Sequence, residues 1–318
     1  MRIVITGALG HIGSRLIHGL QPGEFDEVAL FDNLSTQRYC SLFALPKSVP
    51  FRFIEGDVRT AAFDTILDDA TIVVHLAAVT NAALSLDDEA RMESVNFEGT
   101  ARVAEACARA GCRLFLPSTT SVYGVMSGTV DEDCPITGLQ PQNPYAATKL
   151  RAEQMLQALA VSDGLRYVVG RFGTIYDTSV GMRFHTAINK FCWQASLAEP
   201  LSVWRTAMDQ SRPYLDLDDA VRAIQFMIER DLFDNRVYNV ISQNATVREV
   251  VALIREVVPG VEVELVDSPI MNDHSYAVSA ERFRRQGFEF RGDLRSGIRR
   301  TLALLSGLRQ GQMPHDRP

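Results

Sequence analysis

Tyr145 and Lys149 stand four residues apart in the run Pro144-Tyr145-Ala146-Ala147-Thr148-Lys149. On a helix that spacing puts the phenol and the ammonium on one face. A free tyrosine has a pKa of about 10, and a nearby cation stabilises its phenolate. A shift of two to three units needs roughly 3–4 kcal/mol of interaction, within reach of one partly buried charge assisted by a second cation. Tyr145 would then serve as a general acid/base near neutral pH. A Tyr/Lys pair at this spacing is often only a solvated helix face, so its setting carries the argument. Upstream lies a hydroxyl cluster, Ser118-Thr119-Thr120-Ser121, directly after the apolar run 113–116. In a parallel sheet that is the edge where ligands bind.

A second constellation lies at the start of the chain. Thr6-Gly7-Ala8-Leu9-Gly10-His11-Ile12-Gly13 joins an apolar run, 2–6, to a helical stretch beginning near His11. Glycines there permit a tight turn and let backbone N–H groups approach a pyrophosphate. The helix aims its partial positive end at that anion. Asp32 ends the next apolar run, 19 residues after Gly13. A carboxylate there accepts from the adenosine ribose hydroxyls and repels a 2′-phosphate, which favours NAD over NADP. Arg38, close by in sequence, softens that preference. Asp57 follows the third apolar run and is a candidate for the adenine amino group. Leu76-Ala77-Ala78 ends the fourth with small residues, against which a cofactor can lie.

These residues need a scaffold, and the sequence supplies one. Apolar runs at 2–6, 28–31, 51–54, 71–76, 113–116 and 167–171 alternate with helical stretches at 11–20, 94–110 and 143–159. Strands that are nearly continuous in apolar residues, separated by helices, predict a parallel sheet covered on both faces. The fold class expected is α/β, a Rossmann-type doubly wound parallel sheet with a smaller C-terminal α/β substrate-binding lobe. The second half is punctuated by proline, glycine and aromatic residues. Helices are expected at 184–195, 218–229 and 247–257, the last opened by a Thr246/Glu249 capping box, and a strand at 261–266. The domains expected are 1–172, to which later segments return, 173–306 for the substrate lobe, and a frayed tail at 307–318.

Composition bounds the function. The 318 residues carry a net charge of −7, which argues against a nucleic-acid surface. The five cysteines, Cys40, Cys107, Cys112, Cys134 and Cys192, show no metal-ligand or redox spacing, so reduced thiols in a cytoplasmic protein are expected. No apolar stretch approaches the ~20 residues of a membrane helix. The N-terminus does not read as a signal peptide.

Together these residues resemble the extended short-chain dehydrogenase/reductase family, and within it the NAD-dependent nucleotide-sugar epimerases and dehydratases. The resemblance runs over nearly the whole chain. It rests on the Thr6–Gly13 loop, Asp32-Asn33-Leu34-Ser35, Gly56-Asp57-Val58-Arg59, His75-Leu76-Ala77-Ala78, Asn96 with Gly99-Thr100, Ser118 through Gly124, and Pro144-Tyr145 with Lys149. It implies that Thr119 holds the substrate oxygen, that Tyr145 is the base, and that Lys149 binds nicotinamide ribose and lowers the tyrosine pKa. It implies a cofactor lining of Gly7, Gly10, His11, Ile12, Gly13, Asp32, Asn33, Asp57, Val58, Leu76, Ala77, Ala78 and Asn96, together with Tyr145 and Lys149. Candidate substrate contacts are Thr80, Thr120, Thr174, Asn189 and Arg212. No metal is implied.

The 4,6-dehydratases carry an Asp-Glu pair where this chain has Thr120-Ser121. The Asp32-Asn33-Leu34-Ser35 run is typical of UDP-sugar 4-epimerases. The resemblance therefore implies C4 epimerisation of a nucleotide sugar through a transient 4-keto sugar. The alternatives are a dehydrogenase of a sugar or small hydroxy compound, and an atypical dehydratase. Helices 94–110 and 143–159 resemble those of the family's dimer interface, so a homodimer is expected. The chain departs from the pattern at Thr174, usually Asn. It also has Asp177-Thr178 for the usual Gly-Pro, and Ser268-Pro269-Ile270-Met271-Asn272 where a second phosphate-binding arginine is usual. Met182-Arg183-Phe184-His185 and Trp204-Arg205 are possible replacement contacts.

Overall fold

The computed structural model describes residues 1–80, 89–124, 128–267 and 275–308. The chain opens with β1 (Arg2–Thr6), α1 (His11–Gly19), β2 (Glu27–Asp32), β3 (Phe51–Glu55) and β4 (Thr71–His75). A short helix α2 (Glu89–Met92) passes through a π-helical stretch, Glu93–Glu98, into α3 (Gly99–Ala110). Then come β5 (Arg113–Thr119), β6 (Thr129–Val130), α4 (Pro144–Asp163), β7 (Arg166–Phe172) and β8 (Thr174–Tyr176). The remainder is α5 (Ala187–Ser196), β9 (Leu201–Trp204), β10 (Ser211–Asp216), α6 (Leu217–Glu229), β11 (Arg236–Val240) and β12 (Gln243–Thr246). It ends with α7 (Val247–Val257), β13 (Val263–Val266), β14 (Ala277–Val278), α8 (Glu281–Arg284) and α9 (Leu294–Leu305).

Seven strands form the main sheet in the order β11-β7-β5-β4-β1-β2-β3, each pair parallel. Alternate side chains feed two separate cores. Ile3, Ile5, Val28, Leu30, Ile72 and Val74 pack on one face with α1 and α6. Val4, Ala29, Phe31, Val73, Leu114 and Leu116 pack on the other with α3 and α4. Both faces are dry, which is why the strands read as continuous apolar runs. The order of strands reverses between β1 and β4, and the crevice beyond their carboxyl ends is where such sheets bind ligands.

Two later elements join this sheet: α6 covers one face and β11 is the seventh strand. Much of the rest builds a lobe with its own core of Tyr176, Phe191, Leu201, Val203, Tyr214, Val250, Ile254 and Ile298. It holds a β12-β10-β8 sheet and the β13-β9 pair. The Thr246/Glu249 capping box opens α7. The helix expected from 184 starts at Ala187 instead, because the segment before it leaves helical geometry to pack on the glycine loop, as described below. Residues 268–272, and most of the expected tail, lie outside the described residues. All five cysteines are free thiols.

Candidate active site

Gly7 begins the loop after β1 with φ +66°. A Cβ on it would stand 2.6 Å from the backbone nitrogen of Ala77. Only glycine lets the loop press against the end of β4. That contact closes the floor of the crevice: Leu76 N donates to Thr6 O at 2.9 Å and Ala77 N to Thr6 Oγ1 at 3.3 Å. Gly10 precedes α1 as a cap without a side chain. The first-turn N–H groups at His11, Ile12 and Gly13 are therefore presented at the positive end of the helix dipole. His11 is buried and its Nδ1 pairs with Ser179 Oγ at 2.8 Å. Burial, then the Arg183 charge, lowers its pKa to about 3, so the ring is neutral.

Asp32 braces two loops. Its Oδ2 accepts from Leu9 N at 3.1 Å and its Oδ1 from Leu34 N at 2.9 Å. Each oxygen keeps a further lone pair for a ribose hydroxyl. Asn33 accepts from Ser35 N and donates to Asp57 Oδ2 at 3.2 Å. Asp57 is also gripped by Arg59 through its backbone N–H and guanidinium, which holds the carboxyl well below its usual range. Any adenine contact by Asp57 would therefore share an oxygen with Arg59. Val58 is buried against the second core, and Leu76, Ala77 and Ala78 are partly exposed. Asn96, in the π-helical stretch, is buried and clamps Val79: Oδ1 accepts from Val79 N and Nδ2 donates to Val79 O, both at 2.8 Å. Its amide shapes the loop after β4 instead of facing outward. A glycine cradle, the first-turn N–H groups of α1 and the Asp32 carboxylate are the donor and acceptor set that a dinucleotide requires, so these residues fit NAD.

Asn143 caps α4, its Oδ1 accepting from Ala146 N at 2.8 Å, and Pro144 fixes the first turn. Tyr145 consequently sits in that first turn, at the end of the helix dipole that favours an anion. Lys149 follows one turn later, 2% exposed, with Nζ 6.0 Å from the Tyr145 ring centre. Burial lowers the Lys149 pKa to about 8, against the opposing influence of Glu153. Burial pushes the Tyr145 phenol up, and the cation acting against that rise is Arg183.

Thr119 ends β5, buried, its Oγ1 accepting from Ser121 N at 3.1 Å. Thr120 Oγ1 donates to Phe172 O at 3.4 Å. His75 ends β4 between Thr6 Oγ1 at 2.7 Å and Thr100 Oγ1 at 3.0 Å. Burial and then Lys149 lower it to about 3, leaving it neutral. Among the described residues no group of acidic, histidine or cysteine side chains is arranged to hold a metal.

The substrate candidates divide. Thr80 accepts a bond from the Arg183 guanidinium. Thr174 lies on β8 opposite Tyr214. Arg212, on β10, bonds Gln210 and loses some basicity through burial. Asn189 is fully buried and its Nδ2 donates to Asp177 O and Arg183 O at 3.4 and 3.2 Å. It holds main chain, and its one unpartnered atom is the acceptor Oδ1, which does not suit a phosphate.

Sequence reasoning missed the strap that carries Arg183. Gly181 N donates to Ser14 Oγ at 3.0 Å and Ser179 meets His11, which lays residues 179–183 across the glycine loop. Asp177, at the position where the resemblance leads one to expect glycine, has φ +88°, and its carboxylate is held by Arg300 of α9. Tyr276 was also missed: it is buried and donates to Thr120 O at 3.1 Å. Only the isolated Gly181 before Met182-Arg183 signalled the strap. Nothing local signalled Tyr276.

Comparison with known proteins identifies the family. The family model described as "NAD dependent epimerase/dehydratase family" matches residues 3–240. An uncharacterized UDP-glucose epimerase, YtcB of Bacillus subtilis, is 28% identical over 98% of this chain and all of its own length. A dTDP-glucose 4,6-dehydratase of Streptomyces griseus is 31% identical over 95% of this chain and 93% of its own. The solved UDP-glucose 4-epimerase of Thermus thermophilus, in complex with NAD, superposes with a TM-score of 0.80 at 26% identity, covering 96% of this chain and 99% of that one. The chain belongs to the NAD-dependent epimerase/dehydratase family.

Proposed function

We propose that this chain is an NAD-dependent nucleotide-sugar epimerase that inverts C4 of a UDP-sugar. The observation that carries the reading is Tyr145 in the first turn of α4 with buried Lys149 one turn behind it, on a helix that packs against β5, the strand ending in Thr119. NAD, held by the loop at Gly7, Gly10, His11, Ile12 and Gly13, by Asp32 and by the small residues after β4, supplies the hydride acceptor. Thr119 holds the sugar hydroxyl. Tyr145 takes its proton and returns it, with the Lys149 and Arg183 charges favouring the phenolate. Thr120, Thr174 and Arg212 line the sugar and diphosphate side, and Arg183 supplies the cation there that a second arginine provides elsewhere. Asn33, Asp57, Val58 and Asn96 shape the adenosine side and the loop after β4.

Epimerisation is favoured over dehydration because Thr120 and Ser121 offer no carboxyl acid beside Thr119. No described helix is long and apolar enough to cross a membrane. A cytoplasmic homodimer, joined through the outward faces of α3 and α4, completes the reading. Incubating the protein with UDP-glucose, UDP-galactose and their uronic acid and N-acetyl counterparts, with products read by proton NMR, tests it. A 4-epimer formed without net NADH supports the reading. A 4-keto-6-deoxy product, or stoichiometric NADH, overturns it in favour of a dehydratase or a dehydrogenase. Tyr145→Phe is expected to lower turnover by at least ~10²-fold with NAD binding nearly intact.

A further inference from the structure

Glu153 lies four residues after Lys149 on α4, so one helical turn separates the ammonium from a carboxylate on the same face. Both are buried, at 2% and 6% exposure. The carboxylate is fixed from its far side. Arg171 of β7 donates through Nε to both oxygens at 3.1 and 3.2 Å, and through Nη2 to Oε2 at 2.7 Å. Ser118 Oγ, one residue before Thr119, also donates to Oε1. The Arg171 guanidinium lies 4.9 Å from the Tyr123 ring centre, and Tyr123 in turn donates to Asn239 at 2.9 Å. This cluster ties α4 to β5, β7 and β11.

A buried ion pair is weak support for stability, since apolar packing of the same volume does as well. Its position suggests another role. The other groups facing Lys149 carry no negative charge: neutral His75 on β4, and the Tyr145 ring on its own helix, whose centre is 6.0 Å from Nζ. Among the described residues, Glu153 is the anion that acts on Lys149.

We propose that Glu153 is a positioning residue acting through Lys149, the counter-charge that keeps the buried ammonium protonated while Arg171 and Ser118 hold the carboxylate in place. The inference rests on the proposed function only for the consequence that turnover needs a charged Lys149.

The chain has only three lysines, Lys47, Lys149 and Lys190. Lysine ε-carbons can therefore be titrated by NMR in the holoprotein, with Lys149 assigned by its loss in Lys149→Met. In Glu153→Gln the Lys149 titration is expected to move down by about one unit or more, with Glu153→Asp restoring most of it. The alkaline limb of the kcat/KM profile moves down with it. Where Glu153→Gln does not fold, the double variant Glu153→Gln/Arg171→Gln, which leaves neither partner of the ion pair unmatched, is compared with Arg171→Gln alone, and the same downward shift of Lys149 is expected between them. An unchanged Lys149 titration in whichever variant folds overturns the proposal. A lowered titration with unchanged alkaline turnover leaves Glu153 in its role and instead refutes the need for a charged Lys149.

Discussion

Replacing Lys149 by Met should abolish turnover and make the cofactor-free protein more stable. Lys149 is almost wholly buried and its pKa falls from 10.5 to about 8. The folded state thus binds its proton more weakly than the unfolded chain. Between about pH 8 and pH 10.5 the unfolded state carries more protons, so wild-type stability rises with pH across that window. Below pH 8 the lysine is charged in both states, and the folded state bears the full cost of a buried ammonium. A difference of about 2.5 units corresponds to ~3 kcal/mol. Methionine is unbranched and apolar, fills a similar volume and avoids that cost, while Glu153 keeps its bonds from Arg171 and Ser118. Thermal unfolding of protein stripped of NAD is the assay. At pH 7 the variant should melt about 5 °C above wild type, and the gap should shrink steadily as pH rises toward 10.5. A variant melting below wild type at pH 7, or a gap independent of pH, would refute the account of a desolvated lysine kept for chemistry at the expense of stability.

The strap gives a second prediction. A Cβ at Gly181 would stand 2.4 Å from Leu9 O and 2.6 Å from Gly10 O, so Gly181→Ala must lift residues 179–183 off the glycine loop. Losing the Ser14 and Ser179 bonds along with the packing should cost about 2–4 kcal/mol; calorimetry should find NAD bound at least tenfold more weakly, and unaltered affinity would show that the strap does not guard the cofactor edge. Arg183→Met removes the cation that opposes the rise of the Tyr145 phenol. The phenol pKa then rises, so the acidic limb of the turnover profile should move to higher pH; a limb that stays in place would mean that Arg183 does not act on Tyr145.

Much of this protein is determined by local sequence. Two buried faces force continuous apolar strands, so six of the seven sheet strands were legible as apolar runs. The Asn143-Pro144 start of α4 and the Thr246/Glu249 box are local capping chemistry, settled within four residues. The glycine loop, Asp32 and the Tyr145/Lys149 spacing needed only strand-to-helix context to be read as a cofactor and proton site. What the sequence could not display is whatever depends on chain segments meeting across long separations. The seventh strand, Arg236–Val240, is an edge strand whose place comes from pairing with β7 and from burying Tyr238 and Val240 in the sheet's core. Asn189 looks like a surface amide on a helix and proves to be buried, spent on the main chain of the strap. Asp177 takes a left-handed conformation, and its carboxylate is held by Arg300, more than a hundred residues away. Most tellingly, the charge state of the reactive pair is tertiary: a four-residue spacing fixes that Tyr145 and Lys149 share a face, but burial shifts both groups, opposed by Arg183 at Tyr145 and by Glu153 at Lys149. Burial and distant charges are properties of the packed chain, and no local pattern encodes them.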